Sequence, residues 1–375
     1  MHNENKDYFA HLRETDYVLW GTGRIAQAFY QKYCVERKQL QEPLYWCDNV
    51  AATQGRKIGR DGTIVSAQEV FSLSARYYLE GKPLAIIIGA TGINLLQIIS
   101  QLEEQAVKAE ICSAVQLDAV RYFKEHEAET AEITAMFADE KSRFLYHRLV
   151  ENMQLGRPVD FSLVQTNQYF ANDVIPTIRD GEVFVDAGVC GGEEIDKALA
   201  INPQIHVHAF EPDAQSYQLL KEKYHAFSQV TLYPYALWNE KKQLSFCGNA
   251  ATPSASRLGA ADTQGNMITS VPLDEMLKEP ATFIKMDIEG AEYNALLGAE
   301  QMIREHHPRL AICVYHSLED YIRIPLLIRS FYHGYQFYFR HHSVTSGESV
   351  FYAIWDTGIN GAVFSLSLHS KEGRV

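Results

Sequence analysis

The pattern of apolar and polar positions changes twice along the chain and divides it into three stretches. In the first, apolar runs of strand length at 17–20, 43–48, 63–65 and 84–88 alternate with helical patterns that extend to about residue 38 and cover 67–78 and 93–104. Such alternation is typical of βαβ units joined in a parallel sheet. We therefore predict a doubly wound, Rossmann-like α/β domain over residues 1–115.

The middle stretch, residues 116–180, has a helical period instead. Residues 122–150 are rich in Glu, Lys, Ala and Arg, and their apolar positions, such as Ile133, Met136 and Phe137, recur at the spacing of one helix face. This pattern predicts a long helix or a helix pair that connects two domains.

In the third stretch the strand and helix patterns alternate again. Strands are predicted at 183–186, 205–210, 230–233, 283–287, 309–315, 335–340 and 349–355, and the segment 243–269 is predicted to be a hairpin plus a mobile loop. The last two strands are joined by a short loop without a helix, so they should pair antiparallel. We predict a second doubly wound domain over residues 181–358, with five parallel strands closed by an antiparallel pair, and a C-terminal tail over 359–375.

Composition and charge narrow the classes of function. At 375 residues the chain is long enough for two domains. Its net charge of −13 is spread along the sequence, which disfavours nucleic acid or an anionic membrane as a partner, because phosphate binding requires clustered Lys and Arg.

The cysteines and the N-terminus indicate the compartment. The six cysteines are scattered without C-x-x-C spacing, so a zinc or dithiol site has little support. Residues 1–8 are polar and do not resemble a signal peptide, and the longest apolar stretch, 84–100, is too short and too interrupted to span a bilayer. We expect a reduced, cytoplasmic protein without a membrane span, and the sequence leaves its oligomeric state open.

The candidate chemistry lies where the strands of the third stretch end. The first strand places Asp186 before a loop that contains Gly188, Gly191 and Gly192, and the second strand ends in Glu211. Glycines let a backbone approach a ligand closely, and an acidic residue at the second strand end accepts hydrogen bonds from a ribose diol. Any nucleoside-binding α/β protein could show this pair of features.

The next strand ends bring further titratable groups to the same edge of the sheet. Lys285 and Asp287 point to one face of their strand, Glu289 and Glu292 are expected on one side of the first helical turn that follows, and His316 ends the neighbouring strand. A base that takes a proton from a hydroxyl could come from this group.

The ordered set of these motifs resembles the FkbM family of S-adenosylmethionine-dependent methyltransferases. The matching stretches are Val185–Gly188 with Gly192, Phe210–Pro212, Pro234–Leu237, Leu273–Asp274, Lys285–Glu292 and His316. The resemblance covers about the last half of the chain. One departure is the segment 189–191, Val-Cys-Gly, where the family usually has G-A-N-x-G or an Asp before the last Gly.

The resemblance implies a seven-stranded class I methyltransferase sheet that binds S-adenosyl-L-methionine and methylates a hydroxyl of a sugar, a glycan or a secondary metabolite. The residues that match the cofactor-binding motifs are Asp186, Gly188, Gly192, Glu211 and Asp213, and the candidate catalytic residues are Asp287, Glu289, Glu292 and His316. The base is either His316 or one of these carboxylates.

Plainer interpretations remain open for several of these residues. Asp186 could cap the following helix. Glu289 and Glu292 could serve only to stabilise the N-terminus of their helix through its dipole. A divalent metal on Asp287, Glu289 and His316 is conceivable, but nothing in the sequence fixes its geometry, so we expect no metal.

The first domain carries its own glycine loop. Gly21, Gly23 and Ala26 form a G-x-G-x-x-A loop after a strand, and Asp48 ends the next strand, as in dinucleotide-binding units. The alternative functions are therefore a nucleotide- or NAD-binding sugar-modifying enzyme that acts through this domain, and a non-catalytic binding module. A third alternative, a nicotinamide-dependent oxidoreductase centred on this domain, would need a catalytic His, Lys or Tyr at a strand end. Residues 89–91, Gly-Ala-Thr, follow a predicted strand and supply none.

Overall fold

In a computed structural model of the chain, the described residues are 10–60, 62–115, 117–155, 161–247, 257–259, 266–344 and 347–355. They divide into two compact units. The first comprises the described residues up to Ala135 together with Asp139–Gln168 and Phe339–Ser349, and the second comprises Met136–Ala138, Tyr169–Tyr338 and the described residues from Val350 onward. The predicted tail at 359–375 lies outside the described residues.

The first unit is built on a six-stranded sheet in the order β3-β4-β2-β1-β5-β6. All its pairs are parallel except the short β3–β4 pair. The strands are β1 Asp16–Trp20, β2 Tyr45–Cys47, β3 Lys57–Ile58, β4 Gly62–Val65, β5 Leu84–Ile88 and β6 Glu110–Ser113.

Alternating residues of these strands enter two separate cores. Leu19 and Ile87 pack with α2 residues such as Phe29, whereas Trp20 and Ile88 pack with residues of α3 and α4. The helices of this part of the chain are α1 Ala10–Arg13, α2 Arg24–Tyr30 (which continues as a π-helical segment, Gln31–Glu36), α3 Ala67–Leu79, α4 Gly92–Glu104, α5 Leu117–Glu125, α6 Glu127–Met136 and α7 Glu140–Gln154. Helices on both faces confirm the predicted doubly wound α/β arrangement.

The prediction of one long helix or a helix pair over 122–150 was wrong. Three helices, α5 to α7, cover this region. The third helix, α7, has an N-cap residue: the Asp139 side chain accepts a hydrogen bond from the Ser142 N–H. The helical period continues across this boundary, so periodicity alone did not reveal it.

A seven-stranded sheet, in the order β16-β17-β15-β14-β7-β8-β9, belongs to the second unit except for residues 339–341 of β16 and Ser349 of β17. Its strands are β7 Val183–Ala187, β8 His206–Phe210, β9 Val230–Tyr233, β14 Phe283–Met286, β15 Arg309–Cys313, β16 Gln336–His341 and β17 Ser349–Ile354. Five strands are parallel, and β17 pairs antiparallel with β15. This confirms the predicted seven-stranded sheet that closes with antiparallel pairing.

A smaller sheet occupies the segment predicted to be a hairpin with a loop. Its strands are β10 Ala236–Leu237, β11 Lys242–Cys247, β12 Arg257–Gly259 and β13 Asn266–Val271, in the order β10-β13-β11-β12. β11 and β13 pair antiparallel, as a hairpin requires. The predicted loop residues 248–256 and 260–265 lie outside the described residues.

Helices flank the large sheet and bury its apolar strands. They are α8 Glu193–Ile201, α9 Ala214–Lys223, α10 Leu273–Met276, α11 Glu292–Leu297, α12 Glu300–His306 and α13 Asp320–Phe331, with a 3-10 turn at Phe161–Leu163 earlier in the chain. The rings of Phe184 and Phe283, on neighbouring strands, stack with centroids 5.0 Å apart in the core. Across the described part of the chain, no helix combines the length and apolar character needed to cross a membrane.

Candidate active site

The loop after β7 passes very close to the loop after β14. Gly188 has φ +79°, and a Cβ there would lie 1.8 Å from the carbonyl oxygen of Asp287. Gly192, with φ +82°, begins α8 with its backbone against Tyr224, whose hydroxyl donates to the Gly192 carbonyl over 2.8 Å. Both glycines are therefore required by the packing of this loop, whatever it binds.

Glu211 joins this loop to the end of β8. One oxygen of its carboxylate accepts a hydrogen bond from the Cys190 N–H over 3.0 Å, and the other accepts one from the Asp213 N–H over 2.9 Å. The side chain is almost fully buried, and burial raises its pKa, with the two N–H donors opposing the rise. Each carboxylate oxygen has a second lone pair that these bonds leave available.

Asp213 follows Glu211 and begins α9. Its carboxylate accepts a hydrogen bond from the Ser216 N–H over 2.9 Å, which makes it the N-cap of the helix. The structure thus gives this predicted cofactor residue a capping role in the fold.

Asp186 lies beneath the loop in a buried ion pair. Its Oδ1 is 2.9 Å from Nζ of Lys285, which occupies the adjacent position on β14, and both side chains are buried. The same ammonium donates to the carbonyl of Gly188 over 2.7 Å. Burial raises the pKa of Asp186, and the ammonium of Lys285 opposes the rise.

The residues after β14 form a tight turn. Glu289 and Gly290 both have positive φ, +58° and +96°, and α11 begins only at Glu292. The expectation that Glu289 and Glu292 share the first helical turn was therefore wrong, because the turn precedes the helix. Left-handed backbone is rare for a residue with a side chain and tends to occur at functional sites.

His316 is surrounded by three carboxylates. Its Nδ1 lies 3.0 Å from Glu292, and its Nε2 lies 3.4 Å from Asp287 and 3.5 Å from Glu289. Burial lowers the pKa of His316, but Glu292, Asp287 and Glu289 outweigh burial and raise it to about 9. The imidazole is consequently protonated at neutral pH.

The four predicted catalytic residues are not equally accessible. Glu292 is fully buried, and its Oε1 also accepts a hydrogen bond from the Ile288 N–H over 2.8 Å, so it holds the turn and the imidazole in place. The side chains of Asp287 and Glu289 are 22% and 24% exposed, which leaves these two carboxylates within reach of a ligand.

Two tyrosines complete the group and were missed by the sequence analysis. The Tyr169 hydroxyl donates to Asp287 over 2.5 Å, and that of Tyr315 donates to the other oxygen over 3.2 Å. Tyr315 was adjacent to a predicted residue. Tyr169 precedes β7 and is far from Asp287 in sequence, so no local pattern connected the two.

The arrangement suits a positively charged or proton-donating ligand. Three carboxylates and one imidazolium carry a net negative charge, and the Glu211-braced loop lies at the same edge of the sheet because parallel strands end together. Asp287, Glu292 and His316 each offer one atom that could ligate a metal, and these three atoms lie within 4.8 Å of one another. A cation could bridge this spacing.

Comparison with known proteins agrees with this architecture. The sequence profile described as the methyltransferase FkbM domain matches residues 186–338. The crystal structure of methyltransferase FkbM from Methylobacillus flagellatus KT is similar, with 20% identity, a TM-score of 0.66, and coverage of 93% of this chain and 92% of that one. This likeness is one of fold. No curated protein matches the chain in sequence.

Two other structures are similar over about half of the chain, with TM-scores too low to support an argument. An rRNA methylase from Streptococcus thermophilus shares 14% identity over 52% of this chain and 100% of that one, with a TM-score of 0.33. Fibrillarin from Aeropyrum pernix, in complex with S-adenosyl-L-methionine, shares 10% identity over 47% and 67%, with a TM-score of 0.32. Residues 186–338, within the second unit, are a methyltransferase FkbM domain.

Proposed function

We propose that the chain transfers a methyl group from S-adenosyl-L-methionine to a hydroxyl of a small molecule, sugar, glycan or secondary metabolite. The observation that supports this most directly is the group formed by His316, Asp287 and Glu289 at the sheet edge that also carries the Glu211-braced loop. A methyl transferase for hydroxyls needs a cofactor site and a proton acceptor side by side.

The residues fit this cofactor. Glu211 is held rigidly by two backbone N–H groups and retains lone pairs that suit the two hydroxyls of a ribose. Gly188 and Gly192 keep the loop close to the sheet, and the acidic group after β14 suits a cation such as a sulfonium. When bound, the cofactor would supply the electrophilic methyl group.

We assign Asp186 and Asp213 supporting roles toward the cofactor. Asp186 is fully buried and acts through Lys285, whose ammonium holds the Gly188 carbonyl and so fixes the loop. Asp213 donates its N–H to Glu211 and caps α9, which orients the ribose-binding carboxylate. Both are positioning residues in this proposal.

Glu289 is the proposed base. His316 is protonated at neutral pH and cannot accept the proton, and Glu292 is buried. Both carboxylate oxygens of Asp287 already accept hydrogen bonds from tyrosine hydroxyls, those of Tyr169 and Tyr315. Glu289 lies on the strained turn with its carboxylate 3.5 Å from Nε2 of the imidazolium, which orients it.

Calorimetry tests the cofactor site. Wild-type protein should bind S-adenosyl-L-methionine, Glu211→Ala should bind it at least tenfold more weakly, and Glu222→Ala, an exposed acid on α9, should bind like wild type. Methyl transfer is read separately as release of S-adenosylhomocysteine with candidate sugars and hydroxylated metabolites. Absence of cofactor binding by the wild-type protein would contradict the proposal.

We propose that the reaction needs no metal. His316 is protonated and forms ion pairs with Asp287 and Glu292, so neither of its ring nitrogens has a lone pair to give a cation. Activity should therefore be unchanged after treatment with EDTA. Loss of activity that returns on adding a divalent cation would assign the cluster to a metal instead.

A further inference from the structure

The first unit contains a cavity lined entirely by its own residues. It has a volume of about 580 Å³ and is bounded by the loop after β1, the turn after β2 and the start of α4. This volume is within the range of small-molecule sites, about 300–1,000 Å³. The cavity also lies where the strand order reverses, because the chain runs from β1 to β2 and β4 on one side and then crosses to β5 on the other.

The glycines around this cavity are not equivalent. A Cβ on Gly21 would lie 2.8 Å from the carbonyl oxygen of Gly89, and one on Gly89 would lie 2.5 Å from the Ala26 side chain, so packing requires both. Gly23 is different. It has an ordinary φ of −76°, and a Cβ there would meet nothing within 4 Å. Gly23 is the N-cap of α2, but packing does not require glycine at this cavity-lining position.

The absence of a side chain at Gly23 leaves room for a ligand to approach the backbone there. The polarity of the cavity indicates its chemistry. α4 is 13 residues long, and its N-terminus has neither a capping side chain nor an acidic residue in its first turn. The first N–H groups of α4 and the positive end of its dipole border the cavity, and the exposed Arg24 lines the same cavity. Together they suit an anion such as a diphosphate.

The other end of the cavity suits a nucleoside. Asp48, at the end of β2, accepts hydrogen bonds from the Thr22 hydroxyl and from the Val50 N–H, and it keeps lone pairs for a ribose diol. Its negative charge would repel a phosphate on the ribose 2′ oxygen. Val50, an apolar side chain that is 56% exposed, borders the same space and offers a face for a base.

We propose that this cavity binds a nucleoside diphosphate with a free ribose diol, alone or as part of a dinucleotide or nucleotide sugar. The site belongs to the first unit and does not depend on the function of the second. All residues that form it lie between Trp20 and Ile98.

The test is calorimetric titration of the full chain with ADP, in the absence and presence of saturating S-adenosylhomocysteine. ADP should bind with unchanged affinity in both conditions. Gly23→Ala and Gly23→Val should weaken binding progressively, with Val at least tenfold weaker, while Ser100→Val on the exposed face of α4 should bind like wild type. Circular dichroism melts should show all three variants folded.

Three further probes identify the ligand class. NAD⁺ should bind more tightly than NADP⁺, because only the latter brings a phosphate to Asp48, and a comparison of NAD⁺ with UDP-glucose separates a dinucleotide from a nucleotide sugar. Failure of ADP to bind, equal affinity for folded Gly23→Val, displacement of ADP by S-adenosylhomocysteine, or a preference for NADP⁺ would each overturn the proposal.

Discussion

The two units stabilise the backbone around the ends of their first two strands in the same way, with different residues. In each, a glycine loop follows the first strand, and a carboxylate at the end of the second strand holds neighbouring backbone in place. Asp48 does so by accepting the Thr22 hydroxyl and the Val50 N–H, and Glu211 does so by accepting the Cys190 and Asp213 N–H groups. A carboxylate that braces the backbone beside a glycine loop is thus common to both sheets.

The units differ on the other side of the first strand. In the second unit, β14 and β15 are followed by segments that contain Asp287, Glu289 and His316, whereas β5 of the first unit is followed by Gly89, Ala90 and Thr91. The shared feature suits nucleoside binding, and the titratable cluster is what suits proton transfer. The comparison therefore separates a site proposed for chemistry from a site proposed for binding alone.

The largest effect should come from removing the proposed base. Glu289→Gln keeps the size of the side chain and should lower kcat by about 10²–10⁴, the usual contribution of a general base, with little change in cofactor affinity. Glu103→Gln, an exposed acid on α4 of the first unit, is the control and should leave kcat unchanged. If His316 is the base instead, kcat will rise with pH up to about 9, and Glu289→Gln will retain most of its activity.

A second effect concerns the buried ion pair under the cofactor loop. Lys285→Met leaves the Asp186 carboxylate buried without its partner, and the free energy of unfolding should fall by about 3–5 kcal/mol. The double variant Lys285→Met/Asp186→Leu should recover much of this loss, since it removes the isolated charge. Ile87→Val, in β5 of the first unit, should cost only about 1 kcal/mol. Chemical denaturation measures the unfolding free energy of all three variants. A Lys285→Met variant as stable as wild type would contradict the ion pair between Lys285 and Asp186.

The His316 cluster should make stability depend on pH. The folded-state pKa of about 9 is above the usual histidine value of 6.5, so the stabilisation is fully present below pH 6.5 and is lost as pH rises through 9. The total change is about 3 kcal/mol. His316→Gln should flatten the dependence of unfolding free energy on pH between 6.5 and 9, and an unchanged slope would show that other groups produce it.

The smallest effects should come from the helix caps, one in each unit. Ser66→Ala at the start of α3 and Asp213→Ala at the start of α9 should each lower the unfolding free energy by about 1 kcal/mol. Asp213→Asn should preserve the cap and the stability. If calorimetry nevertheless finds weaker cofactor binding by Asp213→Asn, the carboxylate touches the cofactor directly and is more than a positioning residue.

The strands were predictable because they are buried on both faces. All five residues of β5 and of β7 are buried, and such continuous apolar runs stand out in a sequence. The site residues at strand ends were predictable for the same reason, since an accurate strand end locates whatever follows it.

Other parts of the site depend on long-range contacts that leave no local pattern. The pairing of Lys285 with Asp186 follows from the parallel register of β14 and β7, and Tyr169 reaches Asp287 from a segment with no regular secondary structure. The position of Glu289 was mispredicted because an acidic residue is as acceptable in a first helical turn as in the turn before it. Backbone conformation, not composition, decides between the two.

The close approach at Gly188 has a consequence for protein engineering. The carbonyl of Asp287 occupies the space that a side chain at position 188 would need. The backbone conformations around Gly188 and Asp287 therefore depend on each other, and neither segment can be replaced alone by one of different conformation. Chimeras that graft a new acceptor specificity onto this scaffold should therefore inherit both segments from the same parent and place their crossovers elsewhere, such as in the hairpin formed by β11 and β13.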